Sequence, residues 1–331
     1  MKVAVVIPNW NGIDFLEKCL ESLRQQTLPH KIILVDNGSV DGSIELVEKN
    51  FPEIKIIKLD KNYGFAGGVN RGIEVALEEG FEAIALLNND AAAETDWLEK
   101  LVATMSRDNK VSIIASKVLS GNTLDTTGEC YSIWGVPFPR GRGEEDRRQY
   151  DNADQRQVLA ASGAASLYRA ELFKDIGLFD ESFFAYYEDV DISMRAQLAG
   201  WKVVYKPSAR VNHHIGGTSE KLGDFRLYHM YKNFWFLYIK NMPFPLSIKY
   251  LLRFSFVFII KMIKLLFSLR LWVFTKVLFV ITIRLPEMIY KRWKIQTTKK
   301  VSYKYIDSML YHNPPPSQPE LVKITKKLGI K

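Results

Sequence analysis

The stretch Ala83-Ile84-Ala85-Leu86-Leu87-Asn88-Asn89-Asp90 decides the fold. Five apolar residues in a row, without polar alternation, make a short strand covered on both faces, and three polar residues end it. Such a strand needs parallel neighbours and helices on either side. Working back towards the start, Lys2–Ile7 is a second apolar strand, which Pro8 is expected to end. Phe15–Leu23 has helical periodicity, Lys31–Val35 is a strand, and Asp41 and Ser43 are capping candidates for the next helix. Ile54–Leu59 adds a strand and Phe65–Glu79 a helix. Past Asp90, Thr95 is expected to cap a helix over Asp96–Met105, and Val111–Ala115 forms a fifth strand. The alternation predicts an α/β fold, an open and mostly parallel sheet with helices on both faces. Ligands of such sheets sit beyond the carboxyl ends of the strands. The polar groups following the first, second, third and fourth strands therefore converge on one edge.

Charge divides the chain. Of its 45 Lys/Arg and 37 Asp/Glu, 20 and 4 fall from Gly223 onward, leaving 25 and 33 in Met1–Leu222. An acidic front and a basic, aromatic back imply two parts with different partners. Cys19 and Cys130, the only cysteines, have no metal or redox spacing, which fits a reducing compartment. The apolar run at the N-terminus is too short for a signal peptide. Between Pro137 and Gln157 a charged stretch with Arg140-Gly141-Arg142-Gly143 reads either as a mobile flap or as a solvated loop.

Three clusters carry chemistry. Asn88-Asn89-Asp90 at a strand exit suits a divalent cation together with a ribose and a diphosphate. Glu188-Asp189-Val190-Asp191 opens a helix behind the aromatic run Phe183-Phe184-Ala185-Tyr186-Tyr187. One carboxylate there could take a proton from a hydroxyl while a sugar ring rests on the aromatic floor, and at least one of the three is a plain helix cap. His213-His214, before Gly216-Gly217-Thr218-Ser219, are surface residues or part of a metal set with carboxylates.

Eight pieces in order resemble the family 2 glycosyltransferases of GT-A fold, and in particular their bacterial rhamnosyltransferase-like branch. They are Pro8-Asn9-Trp10-Asn11-Gly12, Val35-Asp36-Asn37-Gly38-Ser39-Val40-Asp41-Gly42-Ser43, Asn62-Tyr63-Gly64-Phe65-Ala66-Gly67-Gly68-Val69-Asn70-Arg71-Gly72 and Leu87-Asn88-Asn89-Asp90. Ser162-Gly163-Ala164, Gly177-Leu178-Phe179-Asp180-Glu181-Ser182-Phe183-Phe184, Glu188-Asp189-Val190-Asp191 and Val211-Asn212-His213-His214 complete the set. The resemblance covers about residues 3–219. It implies that Pro8, Asn9, Asn11 and Asp36 border the donor's base and ribose. Asn62, Gly68 and Asn70 would shape the floor beneath the donor, and Asn88, Asn89 and Gly163 would also touch substrate. Asp90 would bind Mg²⁺ or Mn²⁺, although amides replace the first two positions of the family's acidic motif. His213 would be a second metal ligand, with His214 as the fallback. Asp189 would be the catalytic base and Glu188 its neighbour.

The implied reaction is an inverting, metal-dependent transfer of one sugar from a nucleotide-sugar to a glycan or lipid-linked acceptor. dTDP-rhamnose is the first choice of donor and a UDP-hexose the second. A nucleotidyltransferase would open on a Gly-rich phosphate loop, which is absent, and a non-catalytic nucleotide-binding partner would not need the carboxylates. No nucleic-acid partner is implied. Residues 1–222 are expected to form the GT-A domain and 223–331 a basic, amphipathic helical part. Two basic arcs, Lys249, Arg253, Lys261 and Lys264, then Arg270, Lys276, Arg284, Lys291 and Lys294, predict two helices with a break near Ser268. No 18-residue run there is free of charge, so these helices either lie on a membrane surface or pack on each other or in a homodimer. The implied location is cytoplasmic, on the inner face of the cell membrane.

Overall fold

The computed structural model describes residues 1–153, 156–214 and 223–328. The Gly216–Ser219 loop and the 222/223 boundary thus fall at or outside the described residues. The chain begins with β1 (Val3–Asn9), α1 (Ile13–Arg24), β2 (Lys31–Asp36), α2 (Ser43–Asn50), β3 (Lys55–Lys58), α3 (Gly64–Glu78), β4 (Ala83–Leu87), β5 (Ala91–Ala93) and α4 (Trp97–Met105). It continues through β6 (Val111–Ser120), β7 (Thr123–Thr126), β8 (Glu129–Tyr131), β9 (Pro137–Pro139), β10 (Arg156–Gln157), β11 (Ala165–Arg169), α5 (Ala170–Ile176), α6 (Glu188–Leu198) and β12 (Lys202–His213). The last part is helical: α7 (Gly223–Asn241), α8 (Phe244–Lys249), α9 (Leu251–Phe267), α10 (Leu271–Ile283), α11 (Leu285–Thr298), α12 (Tyr303–Met309) and α13 (Pro319–Leu328).

The main sheet has the order β10-β12-β6-β11-β4-β1-β2-β3. Pairs β1–β2, β1–β4, β2–β3 and β6–β12 are parallel, and β11 enters antiparallel between β4 and β6. The parallel run ends in the register Asn9↔Asp36, so the polar ends of β1 and β2 lie side by side. Strand alternation sorts β1 between two cores. Val3, Val5 and Ile7 pack with Leu16, Leu20, Val47 and Leu101 of α1, α2 and α4. Ala4 and Val6 face Val69, Ile73, Leu172 and Ile192 of α3, α5 and α6.

Local details correct three expectations. Pro8 does not end β1, because pairing with β4 stops at Val6 and the strand then has β2 on one side only, where a residue without N–H is tolerated. Thr95 does not cap α4; the helix begins after Asp96 without a side-chain cap. The strand at Val111 runs on to Ser120, since β12 pairs along it.

A third core crosses the expected boundary. Tyr131, Trp134, Phe183, Val190, Met194 and Leu198 pack with Phe234, Phe236, Tyr238, Met242, Phe254 and Val277. Buried charge reinforces the joint: Lys240 reaches Asp180 at 2.6 Å and Asp191 at 2.8 Å, Lys291 reaches Asp180 at 2.7 Å, and Asn241 donates to Asp191 at 2.7 Å. Removing one member of such a set strands a charge in the interior, at a cost of about 3–5 kcal/mol.

Helices α9 and α10 break at Ser268 as expected, and most residues of the two basic arcs reach the surface, where several pair with acids. Lys261 is buried, while Lys249, Lys264, Arg270, Arg284 and Lys291 pair with Asp307, Glu320, Asp224, Glu287 and Asp180. Exposed apolar residues stand beside them: Leu252, Phe256, Ile259, Ile263 and Leu266 form a helical stripe on α9, and Phe267, Trp272 and Phe279 continue the exposure. Among the described residues no helix is long and apolar enough to cross a membrane.

Candidate active site

The loops after β1, β2 and β4 are bound to one another before any ligand is considered. The Asn9 amide is fully buried and donates to the hydroxyls of Ser39 at 3.2 Å and Ser43 at 2.9 Å, while its oxygen accepts from Asn89 at 2.7 Å. Asp36 takes the Ser39 N–H, and Asn11, with φ +50°, accepts from the Val40 N–H at 2.9 Å. Asp41 accepts from the N–H groups of Ile13 and Ser43, pinning the starts of α1 and α2. A Cβ at Gly12 would stand 2.0 Å from the Asn89 amide nitrogen, so any larger residue there would displace the Asn89 side chain. Asn62 accepts the Gly64 N–H, and a Cβ on Gly68 would come within 3.1 Å of the Asn37 side chain. Asn70 is buried and engaged in both directions by Phe179. Asn9 and Asn70, expected against the donor, thus have their hydrogen-bonding groups committed within the protein and brace the loops.

At the β4 exit, Asp90 Oδ1 lies 3.0 Å from His213 Nε2, brought there by β5 pairing with the end of β12. The other ring nitrogen, Nδ1, lies 2.8 Å from Asp125. Burial disfavours the imidazolium, but Asp125 and Asp90 outweigh it and raise the His213 pKa to about 9. Asp125 is itself nearly inaccessible and paired with Arg142. That pair, with the Lys117 salt bridges to Asp146 and Asp151, tethers the charged 137–157 loop instead of leaving it as a free flap. His214 is exposed, its ring 5.2 Å from that of Phe15. The Asn88 Oδ1 is buried and has no partner among the described residues. A carboxylate, an imidazole and an unpartnered amide oxygen make a donor set that fits a hard divalent cation. Among the described residues no third His, Cys, Asp or Glu joins the set.

Ser162-Gly163-Ala164 connects this corner to the second carboxylate cluster. The Ala164 carbonyl accepts from Asn88 N–H at 2.9 Å, and the Gly163 N–H donates to Asp189 at 3.0 Å. The three carboxylates of α6 have three different surroundings. Asp191 is fully buried and held by Arg195, Lys240 and Asn241, so it is structural. Glu188 is buried with one oxygen unpartnered, and burial followed by the nearby Asp189 charge lifts its pKa far above the usual range. Asp189 is half-buried; burial raises its pKa, opposed by N–H groups of Gly163 and Val190. Glu129, in β8, is a fourth member: burial and then Asp189 raise it to about 8.

The aromatic run before these carboxylates has an unusual backbone. Phe184, Tyr186 and Tyr187 have φ of +67°, +71° and +71°, a region that bulky residues rarely adopt. Asn233 of α7 holds it: its side-chain nitrogen lies 2.9, 2.8 and 2.7 Å from the carbonyls of Phe183, Ala185 and Tyr186. Lys232 adds a bond to Ser182 O at 2.7 Å, and Ala66 N–H to Phe184 O at 3.1 Å.

The structure therefore gathers Asn88, Asn89, Asp90, His213, Gly163, Glu188 and Asp189 at the sheet edge. Asp36 and Asn11 join them through Asn9. Sequence reasoning missed Asp125, Glu129, Arg142 and Asn233. None belongs to a polar cluster at a strand exit, and only the unusual charge density near Arg142 marked its segment.

Comparison with known proteins agrees with this geometry. The sequence profile of glycosyl transferase family 2 matches residues 4–177, more than half of the chain. A relative from Mycobacterium tuberculosis, an N-acetylglucosaminyl-diphospho-decaprenol L-rhamnosyltransferase, is 29% identical over 230 residues, which cover 63% of this chain and 75% of the relative. A dTDP-rhamnosyl transferase of Shigella flexneri is 25% identical over 257 residues, covering 74% and 83%. A mannosyltransferase from Pyrobaculum calidifontis, solved with GDP-Man and Mn²⁺, superposes with a TM-score of 0.55 over 100% of this chain and 88% of its own. At 13% identity this likeness speaks for the fold alone.

A partner carboxylate on a ligating histidine fixes the ring and raises its basicity. Asp125→Asn should therefore weaken Mn²⁺ binding roughly 10–100-fold, measured by electron paramagnetic resonance with a nucleoside diphosphate present. Unchanged affinity would show that the His213–Asp125 contact has no bearing on a cation.

Proposed function

The chain belongs to glycosyl transferase family 2, and from that premise we propose that it moves one sugar, with inversion, from a nucleotide-sugar to an acceptor hydroxyl. dTDP-rhamnose is the donor we favour, because both relatives named above are rhamnosyltransferases; a UDP-hexose is the second reading. The acceptor we favour is a lipid-linked or cell-surface glycan. Residues 1–222 would hold the donor and the base, and residues 223–331 would complete the acceptor side.

The observation that carries this reading is the short bridge Gly163-Ala164, which sets a half-buried carboxylate beside the polar exit of β4. Asp90, His213 and Asn88 would hold Mg²⁺ or Mn²⁺, which as a Lewis acid would stabilise the leaving diphosphate oxygen. Asp189 takes the proton from the acceptor hydroxyl. The Gly163 and Val190 N–H groups fix which way its carboxylate faces. Burial pushes Glu188 towards its neutral form, in which it could donate a hydrogen bond without repelling the ionised base. Attack from the face opposite the nucleotide inverts the anomeric carbon in one displacement and requires no protein nucleophile.

Removing general-base help costs about 10²–10⁴ in rate. Asp189→Asn should show that loss in single-turnover transfer while leaving nucleotide-sugar affinity nearly intact. Near-normal turnover would pass the role to Glu188. Since burial lifts Asp189 above the ordinary aspartate range, the wild-type rate should fall as pH drops through that raised pKa, the base being active only when ionised.

We also propose that α9 and α10 rest on a membrane surface on the cytoplasmic side. The reading rests on the exposed Leu252, Phe267 and Trp272, which are 85%, 86% and 71% accessible, with the surplus of Lys and Arg around them. Two copies meeting through this region would bring like charges together, whereas an anionic leaflet complements them. Because several of these cations are internally paired, apolar insertion should dominate. The full chain should pellet with anionic vesicles and remain largely bound in high salt, and Phe267→Asp with Trp272→Asp should release it. A concentration-dependent dimer with no vesicle binding would replace the lipid by a second copy.

A further inference from the structure

Away from the sheet edge, α7, α9 and the segment leading into α13 enclose a cavity of about 520 Å³. Its wall combines apolar side chains, among them Leu227, Met230, Val257 and Ile260, the cations Arg226, Lys261, Lys264 and Arg270, and one carboxylate, Glu320. A second cavity of about 490 Å³ shares Leu227, Tyr231, Lys264 and Arg270 with it and extends to Phe267 and Ser268, at the exposed apolar turn between α9 and α10.

Lys261 is the unexplained group. It is only 9% exposed, and its ammonium lies over the rings of Tyr231 and Phe234 at 4.8 and 5.4 Å. Among the described residues it has neither a carboxylate nor a hydrogen-bond acceptor. Its neighbours differ: Lys264 pairs with Glu320, and Arg270 with Asp224 at 3.1 Å. Burying an ammonium without an anion is costly, and aromatic faces offset only part of that cost. Burial, with the Lys264 charge added, lowers its pKa to about 8. An anion in the cavity would satisfy the lysine, and the apolar wall would accept a hydrocarbon chain attached to it.

The cavity communicates with the catalytic loop through α7. Arg226 lines it and is close enough for its charge to act on the Tyr186 and Tyr187 hydroxyls. Asn233, the residue that holds that loop, lies seven positions further along the same helix, about 10 Å. One helix thus both lines the cavity and holds the loop that leads into Asp189.

We propose that the cavity between α7, α9 and α13 binds the phosphate and the first part of the hydrocarbon chain of a phosphate-linked lipid acceptor, with Lys261 against the phosphate. The proposal rests on the lipid-linked acceptor reading above and adds where such a molecule sits.

Binding of farnesyl diphosphate to the full chain, measured by calorimetry in the presence of saturating dTDP, tests it. Wild type should bind farnesyl diphosphate about tenfold or more tightly than inorganic diphosphate or farnesol. Lys261→Met, which removes the charge and keeps the volume, should lose that advantage with an unchanged thermal midpoint. Ile260→Trp, on a half-exposed position of the wall, should weaken binding by obstructing the cavity and leaves a second test if the first variant misfolds. No binding by wild type, equal affinity for inorganic diphosphate, or unchanged affinity in both variants would overturn the proposal. The affinity for dTDP, measured separately in the same samples, reports on the donor reading, so failure of one is distinguishable from failure of the other.

Discussion

One side-chain amide, that of Asn233, holds the loop that leads into the proposed base. Three residues of the loop Phe184–Tyr187 stand in the left-handed region, at a cost of order 1–3 kcal/mol each. They persist because Asn233 gathers the carbonyls of Phe183, Ala185 and Tyr186, and Lys232 takes that of Ser182. The reversed backbone feeds directly into α6, whose first residues are Glu188 and Asp189. A residue of the helical part thus holds the loop that leads into Asp189, the carboxylate we propose as the base. The two parts of the chain share a core for the same reason that they share a site.

The second constraint is the sorting of like charges. Four carboxylates, Glu129, Glu188, Asp189 and Asp191, lie close together around the start of α6, and they cannot all ionise alike. Asp191 is compensated by Arg195 and Lys240. Glu129 and Glu188 are pushed towards the neutral form by burial first and by Asp189 next. Asp189 alone combines partial exposure with two backbone N–H donors. On the other side of Gly163-Ala164, His213 stands between Asp90 and Asp125, so the base and the cation-binding candidates are held apart yet joined by two residues of backbone.

Much of this was legible in the sequence. The apolar run Ala83–Leu87 and the polar Asn88-Asn89-Asp90 fixed a buried strand and its exit, and the alternating segments before it gave the parallel half of the sheet. The antiparallel β11 was not legible, since five residues of mixed polarity, Ala165–Arg169, carry no sign of their direction. Local patterns named the carboxylates but could not divide them, because the division depends on Lys240, Asn241 and Asn233, some fifty residues away. The basic arcs were read in part for a related reason: helical spacing shows which residues share a face, but not which acids elsewhere pair with them. Asp307 and Glu320 pair with Lys249 and Lys264, which remain at the surface.

The most direct test of this account is the turnover of Asn233→Ala compared with its affinity for the nucleotide-sugar. A small displacement of a catalytic group can cost about 10² in rate. The account predicts a fall in kcat of about that size, with donor affinity nearly unchanged and the protein still folded, because Asn233 touches the loop of the base and not the strand exits. An unchanged kcat in a folded Asn233→Ala protein would contradict it, since Asp189 would then be positioned without α7.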